Sequence, residues 1–219
     1  MPGHHIGFYI ADMRPYLDFP QPSDAPTPAL RGTLSTDRLV IRPGTESDAP
    51  ATWSYRRLTS VNEWLSGSPE SLETYRETFQ DATRLANTVI VETKPEFGGD
   101  VVGDFMIRVE DAWAQTDIAA LAARRQVELG WVLDPGHTGN GYATEAVTAI
   151  IDYCFDTLQA HRIVASCFLD NESSWRLMER VGMRRELHAV RDALHRSGRW
   201  LDSVGYAILS DEHPITHFS

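Results

Sequence analysis

The chain has 219 residues, of which 42% are hydrophobic and 23% charged, and this suits one folded domain with extensions better than two full domains. Its formal net charge of −11 argues against nucleic acid as the main ligand, because phosphate backbones are bound by clustered Lys and Arg. No apolar run approaches the roughly 18 residues that span a bilayer, and the N-terminus lacks a basic segment followed by an apolar one, so we expect a cytoplasmic protein without a membrane segment.

The N-terminal segment 1–32 holds six of the 12 prolines, which disfavours regular structure. It also holds aromatic residues such as Phe8 and Tyr9, which make it too apolar for a solvated linker. We therefore expect an arm that packs on the main domain, residues 33–210, or on a second subunit, so that a homodimer is one prediction. Residues 211–219 would form a short tail.

No metal site is predicted. His4 and His5 are adjacent, which is not the spacing of metal ligands. Cys154 and Cys167 are the two cysteines of the chain, and they form neither a CxxC pair nor a disulfide framework. We expect both to be free thiols.

The first part of the domain predicts a strand followed by two helices. The strand covers residues 34–43, and the first helix covers residues 46–61. Ser68 can cap the second helix, with Pro69 at its first position. Trp64 lies in the loop between the two helices.

A strand pair follows, at residues 88–92 and 101–110, joined by a loop rich in turn-forming residues. Residues 111–125 come next. Their alanines allow a helical turn, whereas their position between strands suits a long flap, and the sequence leaves both open.

The central stretch consists of a strand, a glycine-rich loop and a helix. The strand is Val127 to Leu133, the loop contains Gly139 and Gly141, and the helix begins near Ala143. The first turn of a helix has backbone N–H groups without intrahelical acceptors, and glycines leave these groups open to an anion. The stretch therefore predicts a phosphate-binding turn, with an ordinary tight loop that caps a surface helix as the alternative.

Two common nucleotide motifs do not fit this stretch. A P-loop needs a lysine after its glycines, and none follows here. The dinucleotide fingerprint needs a third glycine, where this chain has Thr144, and residues 134–138 separate the strand from the glycines.

The remaining elements alternate between helix and strand. They are a helix at 143–158, a strand at 162–169, a helix at 172–181 and two strands at 184–190 and 203–209. Mixed elements without repeats predict an α/β domain built around one sheet.

Two segments resemble signatures of the GCN5-related N-acetyltransferases (GNAT). The run TGNGYA, from Thr138 to Ala143, resembles the family's Q/R-x-x-G-x-G/A turn, with Thr138 in place of Gln or Arg. A later run resembles the family's N-x-x-S and E-K-x-G-F pattern. Its matching residues are Asn171, Ser174, Glu179 and Gly182, with Arg180 for Lys and Met183 for Phe. The pattern is most similar to the RimJ/RimL-like subgroup, over residues 34–209.

The resemblance implies the GNAT acyl-CoA N-acyltransferase fold, a mixed and mostly antiparallel sheet of about seven strands, flanked by helices and splayed at its central strands. It also implies an N-acetyltransferase that uses acetyl-CoA. The acetyl group would pass directly to a primary amine, which is either a protein or peptide N-terminus or a small amine.

The resemblance assigns roles to individual residues. Those that would contact acetyl-CoA are Trp131, Val132, Leu133, Thr138, Gly139, Asn140, Gly141, Tyr142, Ala143 and Asn171. Trp131 or Val132 would supply the backbone N–H that holds the thioester carbonyl.

The same resemblance makes Glu128 the general base and Ser174 the proton donor to the departing thiolate. The alternatives are a Glu128 that pairs with an arginine or faces water, and a Ser174 that caps backbone N–H groups. Trp64 would line the acceptor site, or else be part of the core.

Two other functions remain open from the sequence. A non-catalytic acyl-CoA sensor or scaffold would keep the glycines and Asn171 but would not need Glu128 or Ser174. A nucleotide-binding protein would use the glycine loop for a different ligand.

Overall fold

The structure, a computed structural model, describes residues 28–213. Most of the predicted arm, including His4 and His5, lies outside the described residues, as does the end of the predicted tail. Residues 28–32 pack on the domain: Leu30 is buried in the core, and the backbone N–H of Ala29 donates to the carbonyl of Ala86 at 2.8 Å.

Within the described residues, eight strands form one sheet in the order β1-β2-β3-β4-β5-β6-β8-β7. The strands are β1 (Leu34–Ser35), β2 (Leu39–Pro43), β3 (Thr88–Thr93), β4 (Val101–Glu110), β5 (Gln126–Leu133), β6 (Arg162–Phe168), β7 (Arg184–Leu194) and β8 (Trp200–Leu209). The helices are α1 (Ala49–Arg56), α2 (Thr59–Asn62), α3 (Leu72–Phe79), α4 (Ala82–Asn87), α5 (Tyr142–Asp156) and α6 (Glu172–Arg180). Short 3-10 helices lie at Glu46–Asp48, Pro95–Phe97, Thr116–Ala122 and Pro135–His137.

The predicted fold class is confirmed. The sheet is mixed and mostly antiparallel, since in this part of the chain only β5 and β6 pair in parallel. The sheet has eight strands rather than about seven, because the predicted strand at 34–43 forms a hairpin. Its turn is closed by the Thr36 N–H, which donates to the Leu39 carbonyl at 3.0 Å.

The sheet is splayed between β5 and β6. These strands pair over three residues, from Gln126 opposite Arg162 to Glu128 opposite Val164, and then separate. From Leu129 onwards, β5 therefore has an edge without a strand partner on the β6 side. The result is a V-shaped opening that widens towards the glycine-rich loop.

One face of the sheet carries the main core. The buried residues of α5 include Val147, Ile150 and Cys154, which belong to the same cluster as Ile107 and Val127 of the sheet. Alternation along a strand places Val127 and Leu129 under α5 and points Glu128 to the opposite face. Helices α1, α3 and α4 lie on that opposite face, where α1 and α4 contact β4.

Three predicted elements differ in detail. The helix at 46–61 consists of a 3-10 turn, α1 and α2. The second helix begins at Leu72 rather than after Ser68, because Ser71 supplies the cap: its hydroxyl accepts from the Thr74 N–H at 3.1 Å. Residues 111–125 form a 3-10 helix over Thr116–Ala122, so the helical alternative holds.

Candidate active site

The glycine-rich turn at the N-terminus of α5, residues 139–143, is called the cradle below. Gly139 and Gly141 have φ of +81° and +79°, a left-handed conformation that glycine adopts without strain. The backbone N–H groups from Gly139 to Ala143 find no acceptor within residues 28–213. These groups lie at the N-terminus of α5, which is the positive end of the helix dipole and stabilises an anion.

The side chains of this turn hold its shape. The Thr138 hydroxyl donates to the Pro135 carbonyl at 2.8 Å, and the Asn140 amide donates to the His137 carbonyl at 3.2 Å. The Tyr142 ring packs against the guanidinium of Arg38 at 4.8 Å. Thr138 and Asn140 therefore shape the loop, while backbone groups remain available for a ligand.

Strand β5 carries Trp131, Val132 and Leu133 along the opening. The Asp134 N–H donates to the Val102 carbonyl of β4 at 3.0 Å, and a Cβ on Gly103 would lie 2.5 Å from the Val132 oxygen. Both observations direct the polar backbone groups of Asp134 and Val132 towards β4. By alternation, those of Trp131 and Leu133 point into the opening, which favours Trp131 over Val132 as an amide donor.

Glu128 is the last residue of β5 that pairs with β6, so it lies at the vertex of the opening. Glu128 forms an ion pair with Arg108. Arg108 also lies close to Glu110, with its Nε 3.1 Å from Glu110 Oε1, but these two atoms are not aligned as a hydrogen bond. Burial raises the pKa of Glu128, and the opposing effect of Arg108 does not reverse this. The carboxyl group is thus a better proton acceptor than an exposed glutamate.

Ser174 and Asn171 lie at the start of α6, beside β6. The Ser174 N–H donates to the Asn171 carbonyl at 3.1 Å, which closes the first turn. The Cys167 thiol lies on β6 next to the opening, with its Sγ 4.0 Å from the Asn171 carbonyl oxygen. In the described part of the chain the Ser174 hydroxyl caps no backbone N–H.

Cys167 is not an activated thiol. Burial raises the pKa of Cys167 to about 11, although contacts with Ser174 and the Trp175 backbone act in the other direction. Cys154 is buried in the core, and burial raises its pKa to about 12. Both thiols are therefore poor nucleophiles near neutral pH.

Trp64 belongs to an aromatic cluster on the sheet face that carries Glu128. Its ring lies 6.1 Å from Phe168 and 5.5 Å from His195. Phe168 is four residues after Val164 on β6, and both side chains lie on this face. Since a strand rises about 3.3 Å per residue, the cluster lies roughly 13 Å along the strand from Glu128.

Two hydrogen bonds join the loop that carries Trp64 to the turn between β7 and β8. His195 Nε2 donates to the Glu63 carbonyl at 3.0 Å, and Arg196 Nη2 donates to the Leu65 carbonyl at 2.5 Å. His195 is 9% exposed. Sequence reasoning missed this contact because nothing local distinguishes a histidine in a hairpin turn. It also missed Arg108 and Arg38, whose partners are distant in sequence.

Other candidate sites are weaker. A cavity of about 450 Å³ lies between α1 and residues 68–70, with Trp53, Arg57 and Asn62 among its lining. It is exposed to solvent, and no residue of β5 or β6 lines it. Among residues 28–213 there is no group of three or more potential metal ligands. None of the helices over those residues is long and apolar enough to span a membrane.

Comparisons with known proteins identify the family of this chain. Residues 38–184 match the family model described as "Acetyltransferase (GNAT) domain". The uncharacterized N-acetyltransferase YnaD of Bacillus subtilis is 30% identical over 180 residues, covering 82% of this chain and 98% of YnaD. A GNAT-family acetyltransferase from Bacillus anthracis has a crystal structure with a TM-score of 0.69 and 28% identity, covering 82% of this chain and 99% of that one.

A third relative has a named protein substrate. The [ribosomal protein uS5]-alanine N-acetyltransferase of Escherichia coli is 34% identical over 84 residues, covering 38% of this chain and 43% of its own length. The family match and the YnaD relative each cover most of the domain. This chain therefore belongs to the GNAT acetyltransferase family and is an N-acetyltransferase.

Proposed function

We propose that this N-acetyltransferase transfers the acetyl group of acetyl-CoA directly to a primary amine, with Glu128 as general base. The observation that carries the proposal is the position of Glu128 at the vertex of the opening between β5 and β6. There a carboxyl group with a raised pKa is next to the unpaired edge of β5. A group that must accept a proton at the reacting centre needs both features.

The residues present fit acetyl-CoA. Its pyrophosphate would bind the backbone N–H groups of Gly139 to Ala143 at the N-terminus of α5. Its pantetheine arm would run along Trp131 to Leu133 and pair with the open strand edge, with Asn171 on the other side of the opening. The thioester supplies the activated acetyl group, and the chain positions it.

The proposed transfer needs three contributions from the chain. Glu128 accepts a proton from the attacking amine, directly or through water, as the new C–N bond forms. The backbone N–H of Trp131 holds the thioester oxygen as negative charge develops on it. As the C–S bond breaks, Ser174 donates a proton to the departing sulfur and regains one from solvent.

The acceptor would approach from the face that carries Glu128. Trp64 would line this side of the site, together with Phe168 and His195. The E. coli relative is named for the N-terminal alanine of a ribosomal protein, and a peptide N-terminus is one acceptor that we propose here; a small amine is the other. An α-amine has a pKa of about 7.7 to 8.0 and so needs only modest help from a base.

The test is a thiol-release assay with acetyl-CoA over N-terminal peptides, aminoglycosides and polyamines, for the wild type and for Glu128→Gln. We expect turnover with at least one amine, and a loss of kcat of about 100-fold in the variant. Glu110→Gln is the matched control, because it removes the neighbouring carboxylate but keeps the proposed base. Equal turnover of wild type and Glu128→Gln would reduce Glu128 to a structural partner of Arg108. Binding of acetyl-CoA without turnover of any amine would favour a sensor.

A further inference from the structure

The cradle at α5 has two arginines beside it that come from elsewhere in the chain. Thr138 occupies the position where the family turn carries Gln or Arg, and its hydroxyl is bonded within the loop. The turn itself therefore supplies no cation. Arg38, in the turn between β1 and β2, donates from Nη1 to the Asn140 carbonyl at 2.9 Å. Its Nη2 lies 3.5 Å from where a Cβ on Gly141 would be.

Arg38 is held in place by Glu145, in the first turn of α5. Arg38 Nε donates to Glu145 Oε2 at 2.7 Å, and Thr36 Oγ1 and the Arg38 backbone N–H both donate to Oε1. Burial alone would raise the pKa of Glu145, but these hydrogen bonds lower it, so the carboxylate stays charged. A guanidinium has five N–H groups. Some N–H groups of Arg38 bind Glu145 or Asn140. The remaining N–H groups of Arg38 have no acceptor among residues 28–213.

Arg180 reaches the same helix end from α6. It lies in the last turn of α6, and its Nη1 donates to Thr144 Oγ1 at 3.2 Å. Thr144 is in the first turn of α5, one residue after the cradle. Arg180 is exposed and forms no ion pair with any described residue. Two guanidinium groups, from Arg38 and Arg180, thus lie at the same end of α5 as the cradle.

We propose that Arg38 and Arg180 bind phosphate groups of acetyl-CoA and supply the guanidinium N–H donors that Thr138 does not. This inference rests on the proposed function. Charge-assisted hydrogen bonds from guanidinium to phosphate are stronger than neutral ones, and here they add to the helix dipole. Arg38 is already ordered by Glu145, so little conformational entropy is lost when it binds.

The experiment compares two acetyl donors, acetyl-CoA and S-acetylpantetheine, which share the thioester but differ in the phosphates. For Arg38→Gln we expect the KM for acetyl-CoA to rise about tenfold, with the KM for S-acetylpantetheine and the kcat unchanged. Arg180→Gln should act in the same direction by a smaller factor, because the group is exposed. Arg176→Gln, one turn earlier on α6, is the matched control and should change neither KM.

Titration of CoA by calorimetry separates the possible failures. A wild type that binds no CoA would contradict the proposed function itself. A wild type that binds CoA, with variants that bind it equally well, would overturn the assignment of the arginines. An equal rise of KM for both acetyl donors would mean that Arg38 only stabilises the turn. That result would also overturn the assignment of the arginines. Arg38→Lys keeps the charge and covers the case in which Arg38→Gln does not fold.

Discussion

Glu128 owes its protonation behaviour first to burial and then to two charged neighbours from β4. Burial favours its neutral form, Arg108 favours its charged form, and Glu110 again favours the neutral form. The raised pKa shows that burial prevails. The strength of this base therefore depends on residues that lie about 20 positions away in the chain.

The pH profile of kcat/KM should reveal this arrangement. Because the base form of Glu128 is lost as the pH falls through its raised pKa, we expect an acid limb above the ordinary glutamate value of about 4.3. Glu110→Gln should move the limb to lower pH, since a neighbouring negative charge is removed. Arg108→Gln should move it to higher pH. A limb that stays in place in both variants, or persists in Glu128→Gln, would belong to another group.

Ser174 permits a second test at the scale of single residues. If its hydroxyl protonates the departing thiolate, Ser174→Ala should lower kcat at least tenfold while the KM for acetyl-CoA stays the same. Ser173→Ala is the control, because that neighbouring hydroxyl only donates to Asn171 Oδ1 at 3.0 Å. Steady-state kinetics with saturating acceptor would measure both. A Ser174→Ala protein with the turnover of the wild type would leave Ser174 with a purely structural role.

Among the elements, the proposed acceptor side depends on how two loops meet. The loop after α2 carries Trp64, and the turn between β7 and β8 carries His195. Hydrogen bonds from His195 and Arg196 to backbone carbonyls join the loops across about 130 positions of sequence. The hairpin therefore holds the loop that carries Trp64 on both sides of that residue.

Replacing His195 should weaken binding of the amine acceptor and leave binding of acetyl-CoA unchanged. His195→Phe keeps an aromatic ring against Trp64 and Phe168 but leaves the Glu63 carbonyl without its donor, at a cost of about 1–3 kcal/mol. We expect a several-fold higher KM for the amine and an unchanged KM for acetyl-CoA. Ser197→Ala preserves the bond to Glu63 and serves as the control. If the two values of KM rose together, the hairpin would instead support the whole site.

At the scale of the molecule, a buried ion pair ties α1 to the centre of the sheet. Asp104 is 4% exposed, and its Oδ2 lies 2.5 Å from Arg56 Nη2. Its Oδ1 also accepts from the Tyr55 hydroxyl at 2.7 Å. This network lies on the same face as Glu128, two residues from Met106 and four from Arg108 along β4. The stability of that face therefore depends on the Asp104 carboxylate keeping its ion pair with Arg56 and its hydrogen bond from Tyr55.

Asp104→Asn should be strongly destabilising, because it leaves Arg56 buried without its counter-charge. We expect a loss of about 3–5 kcal/mol in the free energy of unfolding, measured by urea denaturation with an unchanged m-value. Glu186→Gln, which removes the more exposed pairs with Arg162 and Arg184, should cost at most about 1 kcal/mol. Similar losses in the two variants would show that burial does not set the cost. The double variant Arg56→Met, Asp104→Leu should recover part of the stability.

Local patterns in the chain were sufficient for most elements and for the glycine-rich turn before α5. Most strands and helices lie within a few residues of their predicted bounds, since apolar periodicity and glycine positions act over short distances. The predicted start of the second helix was wrong, because Ser68 and Ser71 offer the same capping chemistry and only packing of the following residues selects between them. The hairpin at residues 34–43 was missed because its turn contains no glycine or proline.

Short runs of residues in a set order are enough to predict the fold class, the glycine-rich turn before α5 and the family to which the chain belongs. Which groups surround those residues depends instead on the packing of the folded chain. Arg108 meets Glu128 through strand register, Trp64 meets His195 through two loops, and Arg38 meets Asn140 across 102 positions. These contacts follow from how the sheet brings distant strands together. Local propensity carries no information about that, and so the pKa of the proposed base and the charge at the cradle became visible only in the folded chain.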